Sequence, residues 1–476
     1  MRPQLSSRKI LILFIFTLYF LLLGQKLMRL GIHGDGIEYA AVAMNMADDV
    51  GTFWKPYLDA AIHPVFHEHP PLVFWIQSIF FRIFGDGLYL ETFYGAFVGL
   101  IILGCMAMFW QRVRRDFGLS PLDTWWPMLL IVSLPIYTYI MQTNRLVCTY
   151  TILAILPTYA SYRSMTANRH MVLFGLLSGV FIYLGFIAKG PVAFFTFAVP
   201  VIAWITLKAK FSRAAFSTLL TMAAFAVVLS ATFHFFPESL DFWKGFWKAQ
   251  VVASLKSQRA AGDTHWYLVE RWAAEMAVPV VIAGFFMVLT KTPFRQIRFN
   301  RQAFFFLLIG LASSLPFLIS TRQHNRYIFH SYPFFVLSLA FATDSIAAGI
   351  ESILSDRPKL RAAAGAISLI FFLLAIAGML YKKDHIRGRK PFYEDIYKQK
   401  IELPARTTIS ACPRAMIQND WLFADMMRVY KVSLTHKRGK EYFLIAKDSG
   451  CIVPEGYRRI NQEPTLKYHL YKKVLP

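Results

Sequence analysis

Long apolar runs separated by short polar turns dominate the chain, and the length of those runs decides its class. They recur at 10–29, 91–110, 125–142, 146–162, 171–188, 191–207, 214–235, 270–289, 302–320, 327–347 and 361–381. About 20 apolar residues are what an α-helix needs to cross the hydrocarbon core of a bilayer. The pattern therefore predicts an all-α polytopic membrane protein of about eleven spans. One further run, Pro71 to Phe84, is shorter and is interrupted by Gln77 and Arg82, which suits an interfacial or re-entrant helix better than a span. From about Lys382 the pattern changes, with short apolar runs such as YFLIA at 442–446 between turn-rich stretches like ACPR and VPEGY. That tail predicts a small α/β domain. The expected organisation is a transmembrane unit over 1–381 that includes a polar loop with interfacial helices at 31–90, followed by a C-terminal domain over 382–476.

Composition supports the membrane reading. Hydrophobic residues make up 56% of the 476, with 44 Phe, and only 17% are charged; this overrides the roughly three soluble domains that length alone suggests. Ile10 to Leu23 follows Arg8 and Lys9 as a signal-peptide core would, but no small-residue cleavage site comes after it, so a retained first span is expected. The 51 Lys and Arg against 28 Asp and Glu, formally +23, fall largely in short loops, which marks orientation and not nucleic-acid binding. If 71–84 does not cross, one side collects six basic segments: Arg2, Arg8 and Lys9; Arg112, Arg114 and Arg115; Arg163 and Arg169; Lys208, Lys210 and Arg213; Lys291 through Arg301; and Arg357 through Arg361. That side is then cytoplasmic, and the chain is expected in a bacterial inner membrane with its polar features and its tail facing the periplasm. Cys412 and Cys451 both fall in the tail, where, if it is periplasmic, the two can pair, with two free thiols as the other reading.

Those polar features begin between the first run and Trp75, where Asp35, Glu38, Glu68 and four of the twelve histidines gather. Asp35 lies between Gly34 and Gly36, and Ile37, Ala40, Ala41 and Met44 follow at helical spacing. Asp35 with Glu38 reads first as a D-x-x-E capping box; the other reading is a carboxylate placed to deprotonate an acceptor, with glycines that let a substrate approach the backbone. Glu68 sits in FHEHPPL, where His67 and His69 suit phosphate binding, metal ligation or a place among headgroups. The H-x-x-x-H-E-H spacing matches no strong metal signature, so no metal site is assigned and no cofactor is required, although a divalent ion is not foreign to such a cluster.

Two cationic segments lie on the same expected face. Lys189 ends the run GFIAKGP, either snorkelling to the interface or countering a lipid phosphate. STRQHNRYIFHSYPFF places Arg322, His324 and Arg326 in a turn where orientation disfavours cations, pointing to an anionic ligand that guanidinium groups grip in pairs or to simple headgroup contact. In THWYL, His265, Trp266 and Tyr267 read as an aromatic anchor or as a further phosphate or sugar contact.

Taken in order, GDGIEYA, the F-x-E-x-PPL element at Phe66 to Leu72, FIAKGP, HWY and RYIFHSYP resemble the GT-C fold glycosyltransferases, the family of the dolichyl-phosphate-mannose protein mannosyltransferases and the lipid A aminoarabinose transferases. The resemblance covers about residues 10–350. It implies that Asp35 is the catalytic carboxylate, Glu38 its acidic partner and Glu68 the acid before the paired prolines. His69 stands where the aminoarabinose branch commonly has a phosphate-binding lysine, and no second acid has an equivalent near Asn144 to Cys148. The implied activity is inverting transfer of a sugar from a polyprenyl-phosphate donor to a glycolipid, polysaccharide or protein acceptor, with Lys189, Arg322, Arg326, His69 and His265 on the donor phosphate. Two other classes fit a polytopic chain: a lipid-sugar transporter or flippase, which would place its charges at mid-membrane and in paired broken helices, and a non-catalytic family member.

Overall fold

Each of the eleven runs becomes helix in the computed structural model, which describes residues 6–32, 34–120, 124–252, 266–318, 323–388, 390–398, 403–413, 421–447, 449–461 and 467–474. Among the described residues, seven helices are long and apolar enough to cross a membrane, or eight if Asn325–Ala342 and Asp344–Asp356, bent by 67°, count as one. Three features separate that number from eleven. The 125–142 run is broken into Trp125–Val132 and Pro135–Met141. Leu146–Thr166 is 21 residues long and carries Pro157, and its many Thr, Ser and Tyr dilute its apolar character. Finally, 171–207 is one continuous helical stretch of 37 residues by length, yet the rings of Phe186 and Phe194 stack at 5.4 Å. Residues eight apart in a straight helix are separated by about 12 Å, so the stretch folds back at Gly190, whose φ is +73°, and makes two legs. Leu72–Phe84 is a 13-residue helix. At about 20 Å it is too short to cross a hydrocarbon core of about 30 Å.

The chain divides into two compact units. The first comprises Met1–Gln25, Gly95–Gln142 and Leu146–Gly378. Its helices present large apolar side chains outward, among them Leu219, Val227, Val281, Val288 and Leu369; a surface this apolar belongs in lipid. Without a hydrophobic drive between helices in lipid, small residues allow close packing: Met171–Lys189 meets Phe211–Phe235 where a Cβ on Gly179 would press against Ala224 and the Thr221 carbonyl. Some polar side chains in this interior are paired with one another, as Trp125 Nε1 is with Glu351 and Trp126 Nε1 with Thr343, both at 3.0 Å. Several of the loop cations are likewise tied down, Arg114 to Asp344 at 3.0 Å and Arg163 to Asp116 at 3.4 Å.

The second unit comprises Lys26–Tyr94, Thr143–Arg145 and Met379–Pro476, so the polar loop and the tail form one body. This differs from the division at 381 drawn from the sequence, because the tail shares its core with the loop: Leu30 pairs with Ile386 in an isolated bridge and packs on Tyr393. The tail contains a five-stranded sheet of β1 (Thr408–Ala411), β2 (Ser433–Thr435), β3 (Tyr442–Ala446), β4 (Tyr457–Arg459) and β5 (Tyr468–Lys473), in the order β2-β1-β3-β5-β4. β1 runs parallel to β2 and β3, while β5 runs antiparallel to β3 and β4. The parallel β1–β2 pair needs a crossover, supplied by helix Leu422–Tyr430. YFLIA becomes the central strand β3, buried along its whole length, as a continuous apolar run in a sheet covered on both faces should be. Cys412, after β1, forms a disulfide with Cys451.

Candidate active site

In the second unit the site is built around the start of helix Asp35–Ala47. Gly34 is its N-cap, at φ +71° and ψ −153°, and makes no side-chain capping bond. Asp35 is thus the first helical residue and not the cap, and the capping-box reading fails: its carboxylate is turned to Arg145, whose Nη1 donates to Oδ2 at 2.5 Å. Arg145 is buried to 7% exposure, whereas Asp35 keeps 33%, so the ion pair has a closed side and an open one.

What brings Arg145 there is the turn Thr143–Asn144–Arg145. Asn144 adopts φ +49°, a conformation asparagine tolerates better than most residues. Its side-chain amide donates to the Gly36 carbonyl at 2.9 Å and accepts from Gln77 Nε2 at 2.9 Å, stapling the turn to both helices of the loop. A Cβ on Gly36 would run into the Thr143 carbonyl, and one on Gly34 would lie 3.2 Å from Arg145 Nη2. The two glycines therefore admit the protein's own backbone and guanidinium, where the sequence suggested approach by a substrate.

Glu38 lies one turn along the same helix and Glu68 is close enough for its charge to act on it. Burial, then the charges of Glu68 and Asp35, push the Glu38 carboxyl up to about 8, with Arg145 opposing. Tyr39 is buried and its hydroxyl meets His69 Nε2 at 2.9 Å, with the rings edge-on at 5.3 Å. Burial raises the Tyr39 phenol well above its ordinary value, so it stays protonated, and burial lowers the neighbouring His67. The predicted residues Asp35, Glu38, Glu68 and His69 thus share one neighbourhood. Among the described residues no group of three or more His, Cys, Asp or Glu is arranged to hold a metal ion.

The predicted cations Lys189 and Arg326 belong to the first unit. Lys189 closes helix Met171–Lys189, and its ammonium does not reach outward as a snorkelling lysine would but lies 5.2 Å from the centroid of the Tyr150 ring, within cation–π range. Arg326 lies over the Tyr327 ring at 5.8 Å and acts electrostatically on Lys189. His330 is fully buried, bonded through Nε2 to the Ser313 carbonyl at 3.2 Å and edge-on to Tyr150 at 5.1 Å. The Asn325–Ser331 segment is anchored by Glu275, which accepts from Asn325 Nδ2 at 3.3 Å and from the Ile136 amide at 2.9 Å. Arg322 and His265 lie outside the described residues.

Sequence reasoning missed Arg145 as the partner of Asp35, Tyr39 as the partner of His69, and the anchoring carboxylate Glu275. Only Arg145 carried a signal, being a cation between two apolar runs on the side the sequence expects to face outward, where cations are disfavoured.

A many-helix membrane unit joined to a mixed C-terminal sheet, with carboxylates gathered at the first helix of the loop, defines the GT-C class of architecture. No family model and no curated protein sequence matches the chain, but solved structures do. ArnT from Cupriavidus metallidurans bound to undecaprenyl phosphate matches with a TM-score of 0.64 at 14% identity, covering 97% of this chain and 98% of that one. The apo state of the same protein matches at 0.62 and 12%, covering 97% of each. The archaeal oligosaccharyltransferase AglB from Archaeoglobus fulgidus, in complex with an inhibitory peptide and a dolichol-phosphate, matches at only 0.43 and 11%, covering 92% of this chain and 69% of that one. The chain therefore has the ArnT-type GT-C fold over essentially its whole length.

Proposed function

We propose that the protein is a glycosyltransferase that moves a sugar from a polyprenyl-phosphate donor to an acceptor at the periplasmic face of a bacterial inner membrane. The observation that carries this reading is the Asp35 ion pair: a carboxylate held by a buried guanidinium, open on one side, with Glu38 and Glu68 beside it, at the motif that the GT-C resemblance assigns to catalysis. Support comes from the ArnT fold, whose representative holds undecaprenyl phosphate. Asp35 takes the proton of the acceptor hydroxyl, and that oxygen forms a bond to the anomeric carbon from the face opposite the phosphate. The anomeric carbon–phosphate oxygen bond breaks, its electron pair stays with the lipid phosphate, and the configuration inverts. Glu38, neutral near pH 7, donates a hydrogen bond where the acceptor sits, and Arg145 fixes the direction of the Asp35 carboxylate. Lys189 and Arg326 stabilise the leaving phosphate, as preorganised cations in a water-poor site do, together with Arg322, His69 and His265. The acceptor is a glycolipid, a polysaccharide or a protein hydroxyl.

In membranes supplied with a labelled polyprenyl-phosphate sugar, Asp35→Asn should reduce transfer by at least about 100-fold, the usual contribution of a general base, while the variant is still expressed and folded. Undiminished turnover by that variant would refute the assignment. Mass spectrometry of envelope glycolipids and glycoproteins from a deletion strain identifies the donor by the missing sugar and the acceptor by its location.

A further inference from the structure

Inside the first unit Tyr150 is wholly buried, and among the described residues its hydroxyl has no hydrogen-bonding partner. Its neighbours in kind are all answered. Tyr19 donates to the Ala96 carbonyl, Tyr137 to Gly99, Tyr162 to Asp116 and Tyr332 to Asn325, at 2.7–3.0 Å, and Tyr183 shares a bond of 2.6 Å with Thr232. A buried hydroxyl without a partner costs its full desolvation, so a single exception in such a series marks a place that something else completes.

The surroundings of Tyr150 indicate the charge of that partner. The Lys189 ammonium lies over its ring, and among the described residues no carboxylate pairs with that ammonium. His330 closes the ring edge and Arg326 stands within electrostatic reach of Lys189. Lys189 is delivered there by the chain reversal at Gly190, where a Cβ would press on the Phe246 ring at 3.1 Å. A phenol, which both donates and accepts, set beside an ammonium, which only donates, suits a ligand made of acceptors. A phosphate monoester is such a ligand, and charge-assisted bonds to it are the strong kind.

We propose that the Tyr150 hydroxyl is a hydrogen-bond donor to the phosphate of the polyprenyl-phosphate ligand, beside Lys189. The proposal rests on the donor-phosphate reading of Lys189 and adds to it a residue that no motif in the chain marked.

The test uses the full chain in lipid nanodiscs, titrated with undecaprenyl phosphate and, in parallel, with undecaprenol, which lacks the phosphate. Tyr150→Phe should weaken undecaprenyl-phosphate binding about tenfold, leave undecaprenol binding unchanged, and keep or slightly raise the ligand-free melting temperature, because it removes a polar atom that nothing among the described residues answers. Equal affinity of Y150F and wild type for undecaprenyl phosphate overturns the proposal. So does a lowered ligand-free melting temperature, which would mean that the hydroxyl is already satisfied without the ligand. Lys189→Ala separates the two levels of the argument: loss of phosphate-dependent binding in K189A but not in Y150F rejects Tyr150 alone, whereas wild-type protein that does not prefer undecaprenyl phosphate over undecaprenol rejects the donor reading and Tyr150 with it.

Discussion

Arg145 and Asp35, 110 positions apart in sequence, meet at 2.5 Å with the guanidinium buried and the carboxylate one-third exposed. The pair sets what the carboxylate cluster can be. With Glu68 acting on the same space, removing the guanidinium leaves the Asp35 and Glu68 carboxylates without that counter-charge. Arg145→Ala should therefore cost more than an exposed pair is worth, about 1–3 kcal/mol, between the surface and the fully buried limits. Transfer should fall along with it. Thermal unfolding in detergent reads the first effect and the labelled-donor assay the second. Because a lysine ammonium still pairs with a carboxylate as a point charge, Arg145→Lys should keep part of both, and a cycle with Asp35→Asn should show coupling. Additive losses in that cycle would mean the two side chains act independently.

Glu38 supplies a pH dependence with a definite sign. Its folded carboxyl sits at about 8 against an ordinary value of 4.5, so the folded state binds the extra proton. The stability this contributes is fully present below about pH 4.5 and is lost as pH rises through 8. Melting temperature followed from pH 5 to 9 should fall less steeply in Glu38→Gln, which is permanently neutral and isosteric, than in wild type. Below about pH 4.5, where Glu38 is neutral in both folded and unfolded chains, the two should be alike in stability, and at pH 6 the variant should already be the more stable. If the neutral acid helps to hold the acceptor, wild-type kcat/KM should also decline above pH 8, and E38Q should lack that limb.

The membrane architecture was legible in the chain because apolar length is a one-dimensional property: runs such as 214–235 and 361–381 become Phe211–Phe235 and Pro358–Tyr381 almost unchanged. The 71–84 segment was readable for the same reason, its 14 residues being too few to cross. Legibility stops where a contact joins distant segments. Asp35 and Glu38 have the local signature of a capping box, and nothing within several residues of them reveals that Arg145 takes the carboxylate instead. The flanking glycines announced close approach correctly, but sequence could not say that the approaching group is the Thr143 carbonyl. Nor does YFLIA disclose that the sheet it centres belongs to the same body as the Asp35 helix.

That close approach is itself testable. Gly36→Ala places a methyl group against a backbone carbonyl, which cannot swing aside as a side chain tip can. Gly34→Ala asks a residue with a Cβ to hold φ +71° and ψ −153°, a region essentially confined to glycine and costing about 1–3 kcal/mol otherwise. Both variants should melt lower than wild type, and both should lose transfer activity because the Arg145–Asp35 contact opens. Gly104→Ala is the control, since a Cβ there meets nothing within 4 Å; a comparable loss from G104A would show that the effect is general to helix glycines.

Arg428, on helix Leu422–Tyr430 of the tail, is the contact on which the second unit should depend most. It is paired with Glu91, the two being only 2% and 3% exposed, donates to the carbonyls of Asp86 at 3.0 Å and Gly87 at 2.9 Å, and lies over the Phe81 ring at 5.1 Å. It also reaches Met44 Sδ, on the Asp35 helix, at 3.8 Å. Arg428→Ala would leave Glu91 as a buried charge without its partner, a loss of about 3–5 kcal/mol by the usual cost of breaking such a pair. Because the same side chain holds the far end of the Asp35 helix, transfer should fall even at temperatures where the variant remains folded. Replacing both partners separates the charge from the carbonyl contacts. In Arg428→Met with Glu91→Leu the stranded charge is gone, so a large part of the melting temperature should return. The Asp86 and Gly87 carbonyls have still lost their donor, so recovery should be incomplete. Full recovery by the double variant would mean that the carbonyl contacts contribute nothing, and no recovery would mean that they, and not the ion pair, hold the tail to the loop.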